Sequence, residues 1–274
     1  MQSKEREHRY MASTNDIISG IARTQEERIL LTQIAQKAET CREKCYLTHT
    51  KFLDMHEAAL ADRLLRGLGE RGIFWGGYEQ AERRMVFFLP EWMDAVPTEG
   101  EDCPIVVIRC LRSKNDALTH RDYLGSLMGL GLRRDGIGDI LVSEHGADIL
   151  VLKDIAPYLL MHYSQAGRKH LQTEEIPLTQ LIVPEEKVTM LRDTVASMRL
   201  DAVTASLFRM SRAKAADAIR AGKVFVNQQE CIHTDKEIAV HDRITLRGTG
   251  RGEIAEILGE SKKGRVVLSL KRFG

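Results

Sequence analysis

Long apolar runs are missing from this sequence. No stretch of about 18 apolar residues is available to cross a bilayer, and the first residues, Met1 to His8, are charged where a secretory signal would carry its apolar segment. Cysteine is scarce: five residues, an odd number without the spacing of a disulfide framework, fit a reducing compartment and make the cytoplasm the expected location. An excess of one charge is absent as well, with 40 Lys and Arg against 39 Asp and Glu. No internal repeat or low-complexity tract occurs. What is present is 43% apolar content in 274 residues, enough for two or three compact units by the usual prior of roughly 100–200 residues per domain.

Signatures of catalysis and cofactor binding are also lacking. The glycines of the run from Leu124 to Asp139 close a helical pattern. A P-loop would need Gly-Lys-Ser/Thr opening a helix, and a dinucleotide fingerprint would follow a strand, so a close-packed helix end and turn is the expected role. His120-Arg121-Asp122 lacks the Asn and the Asp-Phe-Gly partner of a kinase loop. His56-Glu57 begins a zincin pattern, but Leu60 stands where the second His belongs. Cys41 and Cys45, one helical turn apart, have no neighbouring His or Cys cluster and read as plain thiols. None of the nine histidines lies near a Ser or Cys elbow. No cofactor and no metal are expected.

Three parts are expected along the chain, making an α+β protein. Residues 1–69 read as helical. Ile29, Leu30, Ile34, Ala35 and Ala38 recur at helical spacing, then a capping box at Asp54 and Glu57 opens a second stripe through Ala58, Leu60, Ala61, Leu64 and Leu65. Residues 70–183 carry β-rich runs at Met85 to Leu89, Ile105 to Cys110, Asp139 to Ser143 and Ala147 to Leu152, with helical patterns at Thr119 to Leu130 and Asp154 to Ala166. From Ile105 the order strand, helix, strand, strand, helix, strand is that of ferredoxin-like folds, which include the RRM architecture. The stacked aromatics of RNA-reading RRM domains are absent, since Val106, Val107, Ile108, Ile140 and Val142 are aliphatic. Pro184 and the Glu185-Glu186-Lys187 run mark a boundary, and a helical lead-in is expected from Val188 to Met198. The third part spans 188–274.

The third part holds the most informative stretch, Arg199 to Asn227. Leu200, Val203 and Leu207 recur at helical spacing, the pattern breaks at Met210-Ser211, and Ala215, Ala218 and Ile219 resume it until Gly222. Ser211 is a good N-cap, and Gly222 suits a left-handed residue past the helix end. Arg209, Arg212 and Lys214 therefore gather at a helix N-terminus, where the backbone N–H groups and the helix dipole already favour an anion. The neutral total also conceals a basic module. Residues 197–274 hold 15 Lys and Arg against 9 Asp and Glu, a balance of +6, which leaves −5 on residues 1–196. A basic module on an acidic body is the footprint of polyanion binding.

Arg199-Leu200-Asp201, Ser211-Arg212, the Ala215 to Ile219 helix, Ala221-Gly222 and Val224 to Asn227 resemble the S4-type RNA-binding domain, a helical hairpin with strands. Gln228 follows Asn227 where that family commonly has Gly. The Leu124 to Asp139 run, with its glycines, basic pair and Gly-Asp-Ile, together with Phe74 to Arg83 and Arg247 to Arg251, resembles the YlmH family over roughly residues 50 to 274. The resemblance implies an N-terminal region, an RRM-like middle domain and a C-terminal S4 domain. It also implies structured rRNA and tRNA on the large ribosomal subunit as partners, in ribosome-associated quality control of stalled nascent chains.

Enzymatic alternatives fare poorly on the sequence. A pseudouridine synthase carries its Asp in an Arg-Leu-Asp context, but Asp201 lies inside the RNA-binding motif without a surrounding catalytic domain. The nucleotide motifs of a tyrosyl-tRNA synthetase and the cofactor loop of a methyltransferase are missing. A cell-division scaffold is the alternative of another class. The expectation is a non-enzymatic, monomeric RNA-binding protein. Phosphate contacts are expected from Arg199, Arg209, Arg212, Lys214, Arg220 and Lys223, polar or turn-fixing roles from Ser211 and Asn227, and further phosphate contacts from Arg133 and Arg134.

Overall fold

The computed structural model describes residues 14–113, 117–185 and 187–273. The charged start of the chain and Glu186, both used in the sequence reading, lie outside the described residues. Two compact units are present, Met1–Pro184 and Glu185–Gly274. No described helix is long and apolar enough to cross a membrane.

The first unit opens with a helical segment over 14–21 and two longer helices, α1 (Gln25–Lys44) and α2 (Met55–Leu68). Both long helices start with reciprocal capping boxes, Thr24 with Glu27 and Asp54 with Glu57, which satisfy N–H groups left without intrahelical partners. The buried stripe of α1 is Leu31, Ile34, Ala35, Ala38 and Cys41, whereas Ile29 is half exposed. The helix is thus rotated from the expected register, and Cys41 joins the core with its thiol against the Phe88 carbonyl. Strands β1 (Thr48–His49), β2 (Ile73–Trp75) and β3 (Met85–Phe88) form a sheet in the order β1-β3-β2. The expected boundary between residues 69 and 70 runs through this sheet, because β1 on one side pairs with β3 on the other.

A four-stranded antiparallel sheet follows, built from β4 (Ile105–Leu111), β5 (Ile137–Ser143), β6 (Gly146–Leu152) and, after the β7–β8 hairpin (Gln165–Ala166, Lys169–His170), β9 (Gln172–Ile176). Helices α3 (His120–Gly129) and α4 (Ala156–His162) interrupt it, and the strand order is β5-β6-β4-β9. Ile108, Cys110, Ile149 and Val151 pack against Tyr123, Leu127 and Leu159 of the helices. Successive strand residues point to opposite faces, so Ile105, Val107 and Leu150 point the other way, into a cluster with Phe52, Met85 and Phe87. Both faces are covered. That second cluster is the physical reason residues before 70 belong with those after it.

The second unit contains helices α5 (Leu200–Leu207) and α6 (Arg212–Arg220). Its six antiparallel strands are β10 (Val188–Val195), β11 (Val224–Val226), β12 (Gln229–Glu230), β13 (Arg243–Leu246), β14 (Gly250–Glu260) and β15 (Val266–Phe273). They lie in the order β10-β15-β14-β13-β11-β12. The expected helix over Val188 to Met198 is strand β10, paired through all eight residues with β15. Its Val, Thr, Thr and Val are stiff at χ1 and suit a strand, and the pairing partner lies about 75 residues ahead, out of reach of a local pattern. Leu200, Val203, Leu207 and Ile219 are fully buried in one cluster with Ile244, Ile254, Leu268 and Leu270, and Ala215 is fully buried as well.

Candidate nucleic-acid interface

The turn between α5 and α6 follows from its residues. Helix α5 stops at Phe208, and Arg209 takes a left-handed φ of 52°. Ser211 then caps α6, its hydroxyl accepting from the Lys214 N–H at 3.2 Å. At the far end Gly222 has φ 68°, a left-handed conformation that calls for glycine.

Asp201 organises the cationic side chains. Its side chain is 8% exposed, and the carboxylate accepts from Arg199 Nε and Nη2 at 3.3 and 3.2 Å and from Arg212 Nε and Nη2 at 3.0 and 3.1 Å. Burial alone would raise the Asp201 pKa, but the hydrogen bonds from Arg199 and Arg212 outweigh it and hold the carboxyl below its ordinary range. The same bonds raise the Arg199 pKa. Each arginine side chain remains partly exposed, 40% for Arg199 and 51% for Arg212, so one buried carboxylate fixes two solvent-facing cations in a planar fork geometry. The N-terminus of α5 is closed by the protein itself, because the Leu200 and Asp201 N–H groups donate to the Lys236 and Thr234 carbonyls. That of α6 is lined by exposed Ser211, Arg212 and Lys214.

The other expected residues separate into groups. Arg209 and Arg212 line one cleft, which also includes Arg265. Arg220 and Lys223 are exposed at the opposite end of α6, about 12 Å along the helix from Arg212, and Arg220 pairs with Asp217 at 3.2 Å. Asn227, at φ 50° and exposed, ties its side chain to the neighbouring loop: Nδ2 donates to Asp242 at 2.7 Å, and Oδ1 accepts from the Arg243 N–H at 2.9 Å. It fixes a turn. Gln228, at φ 67°, completes a two-residue hairpin loop between Val226 and Gln229, the positive-φ pair that a type I′ turn requires.

Arg134 points inward, contrary to the expectation of a phosphate contact. Its Nη1 donates to the Ile137 and Gly138 carbonyls at 2.6 and 3.0 Å, and burial lowers its pKa to about 10. Arg133 is 81% exposed and pairs with Asp135 at 3.1 Å. The C-terminal glycines of the Gly-rich run, Gly136 and Gly138, are in close contact with the core. A Cβ on Gly138 would meet the Phe52 ring at 2.8 Å, and one on Gly136 would meet Ile155 at 2.2 Å. Asp139 accepts from Tyr78 Oη, the Glu82 N–H and the Arg83 N–H. Arg83 in turn donates to the Phe52, Arg134 and Ile137 carbonyls. Two separate sequence stretches, Phe74 to Arg83 and Leu124 to Asp139, are therefore one hydrogen-bonded structure.

Arg265 escaped the sequence reading. It lies more than 50 residues from Arg212 and reaches the cleft because Val195 pairs with Val266, its Nη2 donating to the Thr194 carbonyl at 2.7 Å. A second group on the sheet was missed for the same reason. Arg243, Glu253 and Lys271 are directly opposite on three neighbouring strands, with Glu253 accepting from Lys271 at 3.2 Å and Arg243 at 3.5 Å. Among the described residues no group of His, Cys, Asp and Glu could hold a metal ion.

Residues 103–180 match the family model described as "Putative RNA-binding domain in YlmH". The chain is 32% identical to the ribosome-associated protein quality control protein P2 of Bacillus subtilis (strain 168) over 249 residues, 90% of this chain and 95% of that protein. The chain belongs to the YlmH family. The cell division protein ylmH from Streptococcus pneumoniae is similar in structure, with a TM-score of 0.49 and 22% identity over 59% of this chain and 97% of that one.

The segment matching the YlmH model is the sheet of β4, β5, β6 and β9 with its helices, not the cationic turn of the second unit. Because both faces of that sheet are covered, stacking of bases on its centre is blocked. Among the described residues, the exposed cations of the matched segment are peripheral: Arg121 on α3, Arg133 before β5, and Arg168 and Lys169 on the β7–β8 hairpin.

Proposed function

We propose that this protein is a non-enzymatic RNA-binding factor that works as a monomer in the cytoplasm. It recognises structured rRNA and tRNA on the large ribosomal subunit during quality control of stalled nascent chains. The second unit is read as an S4-type domain and the β4–β9 region as a ferredoxin/RRM-like one. One observation carries the reading: Asp201 holds Arg199 and Arg212 in a fixed, solvent-facing pair beside Arg209 and Lys214, in the segment 197–274 with its net charge of +6. Fixed forked donors suit phosphate oxygens. The relative named for ribosome-associated quality control, matched over nearly its whole length, supplies the ribosomal context.

Asp201 also speaks against base chemistry. Its oxygens are committed to two guanidinium groups, whereas a nucleophile or general base needs a carboxylate open to substrate. The test is sedimentation with purified large subunits across a salt series, with mass spectrometry of the RNA before and after incubation with and without a methyl donor. Salt-sensitive co-sedimentation with unmodified RNA is expected. A stoichiometric new modification lost in Asp201→Ala, or no co-sedimentation at any salt, overturns the proposal.

A further inference from the structure

The cleft beside the α5–α6 turn has the composition of a nucleotide site. It measures about 450 Å³, within the range of small-ligand sites. Its apolar wall is the half-buried pair Ala205 and Met210, backed by the buried Val195 and Ala202. Arg209, Arg212 and Arg265, all exposed, stand around it. Three cations are more than a purely apolar ligand requires, and an apolar wall is more than a bare phosphate requires.

Within the polar lining of the cleft, the Asp193–Ser206 pair is chemically one-sided. Ser206 Oγ donates its proton to Asp193 Oδ2 at 2.5 Å, and Asp193 Oδ1 accepts from the Thr194 N–H at 2.7 Å. What these two side chains still offer a ligand is acceptor capacity alone. The base edge that fits paired carboxylate oxygens has two adjacent donors. Guanine has them at N1–H and N2–H₂. The Watson–Crick edge of uracil places one donor between two carbonyl acceptors, and those of adenine and cytosine set an amino group beside an acceptor nitrogen.

We infer that this cleft takes a single unstacked guanosine of the bound RNA, its base edge on Asp193, its base face against Ala205 and its flanking phosphates on Arg209, Arg212 and Arg265. The inference rests on the RNA-binding reading above and adds a sequence preference to it. Proteins that read RNA sequence do so on splayed-out bases of this kind.

The experiment measures binding of the full chain to three stem-loops of equal length by fluorescence anisotropy at one salt concentration: an uninterrupted stem, a stem with one bulged guanosine and a stem with one bulged uridine. The guanosine bulge is expected to bind about tenfold tighter than the other two, the scale of one good bidentate contact. Asp193→Asn, an isosteric change at an exposed position, should bring the guanosine-to-uridine ratio close to one. Ala205→Leu, which fills the cleft with a good helix former, should bring the bulge-to-stem ratio close to one, with thermal melts confirming that both variants fold. Equal binding of the three RNAs by the wild type, or an undiminished guanosine preference in folded Asp193→Asn, overturns the inference while the RNA-binding reading stands. Failure to bind any of the three strikes that reading itself.

Discussion

Asp201→Asn separates orientation from charge. The substitution keeps the side chain's size but removes its charge and turns one oxygen into an NH₂ group, so the amide can accept from one guanidinium while presenting donors to the other. A buried carboxylate with four contacts of 3.0–3.3 Å thereby loses one bidentate pair. Charge-assisted hydrogen bonds contribute roughly 1.5–3 kcal/mol each, and the partial exposure of both arginines returns much of that through rehydration, leaving a cost of about 2 kcal/mol. Because the folded Asp201 carboxyl ionises at lower pH than the unfolded one, its contribution is fully present above about pH 4 and drains away as pH falls through the folded value. The variant should therefore differ most from the wild type near neutrality and converge with it in acid. Binding gives the sharper contrast: the module gains a positive charge, so attraction by charge alone would tighten RNA binding, whereas loss of a fixed donor pair weakens it. We expect weakening of about tenfold at constant salt, on the scale of 1.4 kcal/mol. Tighter binding, or an unchanged melting temperature at pH 7, would refute the clamp.

Three further outcomes follow from the geometry. Gln228→Gly relieves a left-handed residue at a cost of about 1 kcal/mol, and in a domain of this size should raise the melting temperature by roughly 4–8 °C; no rise in a differential scan counts against the turn assignment. Arg134→Met removes the donors to the Ile137 and Gly138 carbonyls and should destabilise the first unit by about 2 kcal/mol without changing RNA affinity. Lower affinity at undiminished stability in denaturant titrations would return Arg134 to the phosphate contacts. The fragment from 185 to 274 should fold alone and bind structured RNA, since it has its own core; a collapsed, poorly dispersed NMR spectrum is the contrary result.

Local patterns carried much of the fold into view. The helices announced themselves because 3.6-residue periodicity, caps and terminal glycines are all encoded within a dozen residues: Asp54 with Glu57, Ser211 with Gly222. Strands β4, β5 and β6 showed as β-branched runs long enough to stand out. Strand β10 did not, because seven of its eight residues are not buried and its identity comes from pairing with β15 at the other end of the unit. The same limit hid the unity of the first part of the chain. Phe52 and Leu150 are nearly 100 residues apart, and nothing in either neighbourhood tells that they share a core.

The site shows the same division at finer grain. That Arg199, Arg209 and Arg212 gather near a helix turn follows from spacing, but whether a cation faces solvent or protein depends on carbonyls and carboxylates brought there by the fold. Arg133 and Arg134 are neighbours of identical type. One is 81% exposed, while the other is wrapped by backbone carbonyls of the following strand. Arg265 is the converse case, unremarkable within Lys262 to Arg265 and placed beside Arg212 by one antiparallel register. For the proposed interface the consequence is quantitative. Each phosphate contact releases counterions and adds about 0.7–0.9 to the slope of log affinity against log salt, so the slope counts the cations that are used. Arg265→Ala should lower it by about as much as Arg209→Ala, and Arg134→Met should leave it unchanged. Equal slopes for the wild type and all three variants would mean that the RNA is held elsewhere, with the exposed cations of α3 and the β7–β8 hairpin as the next to test.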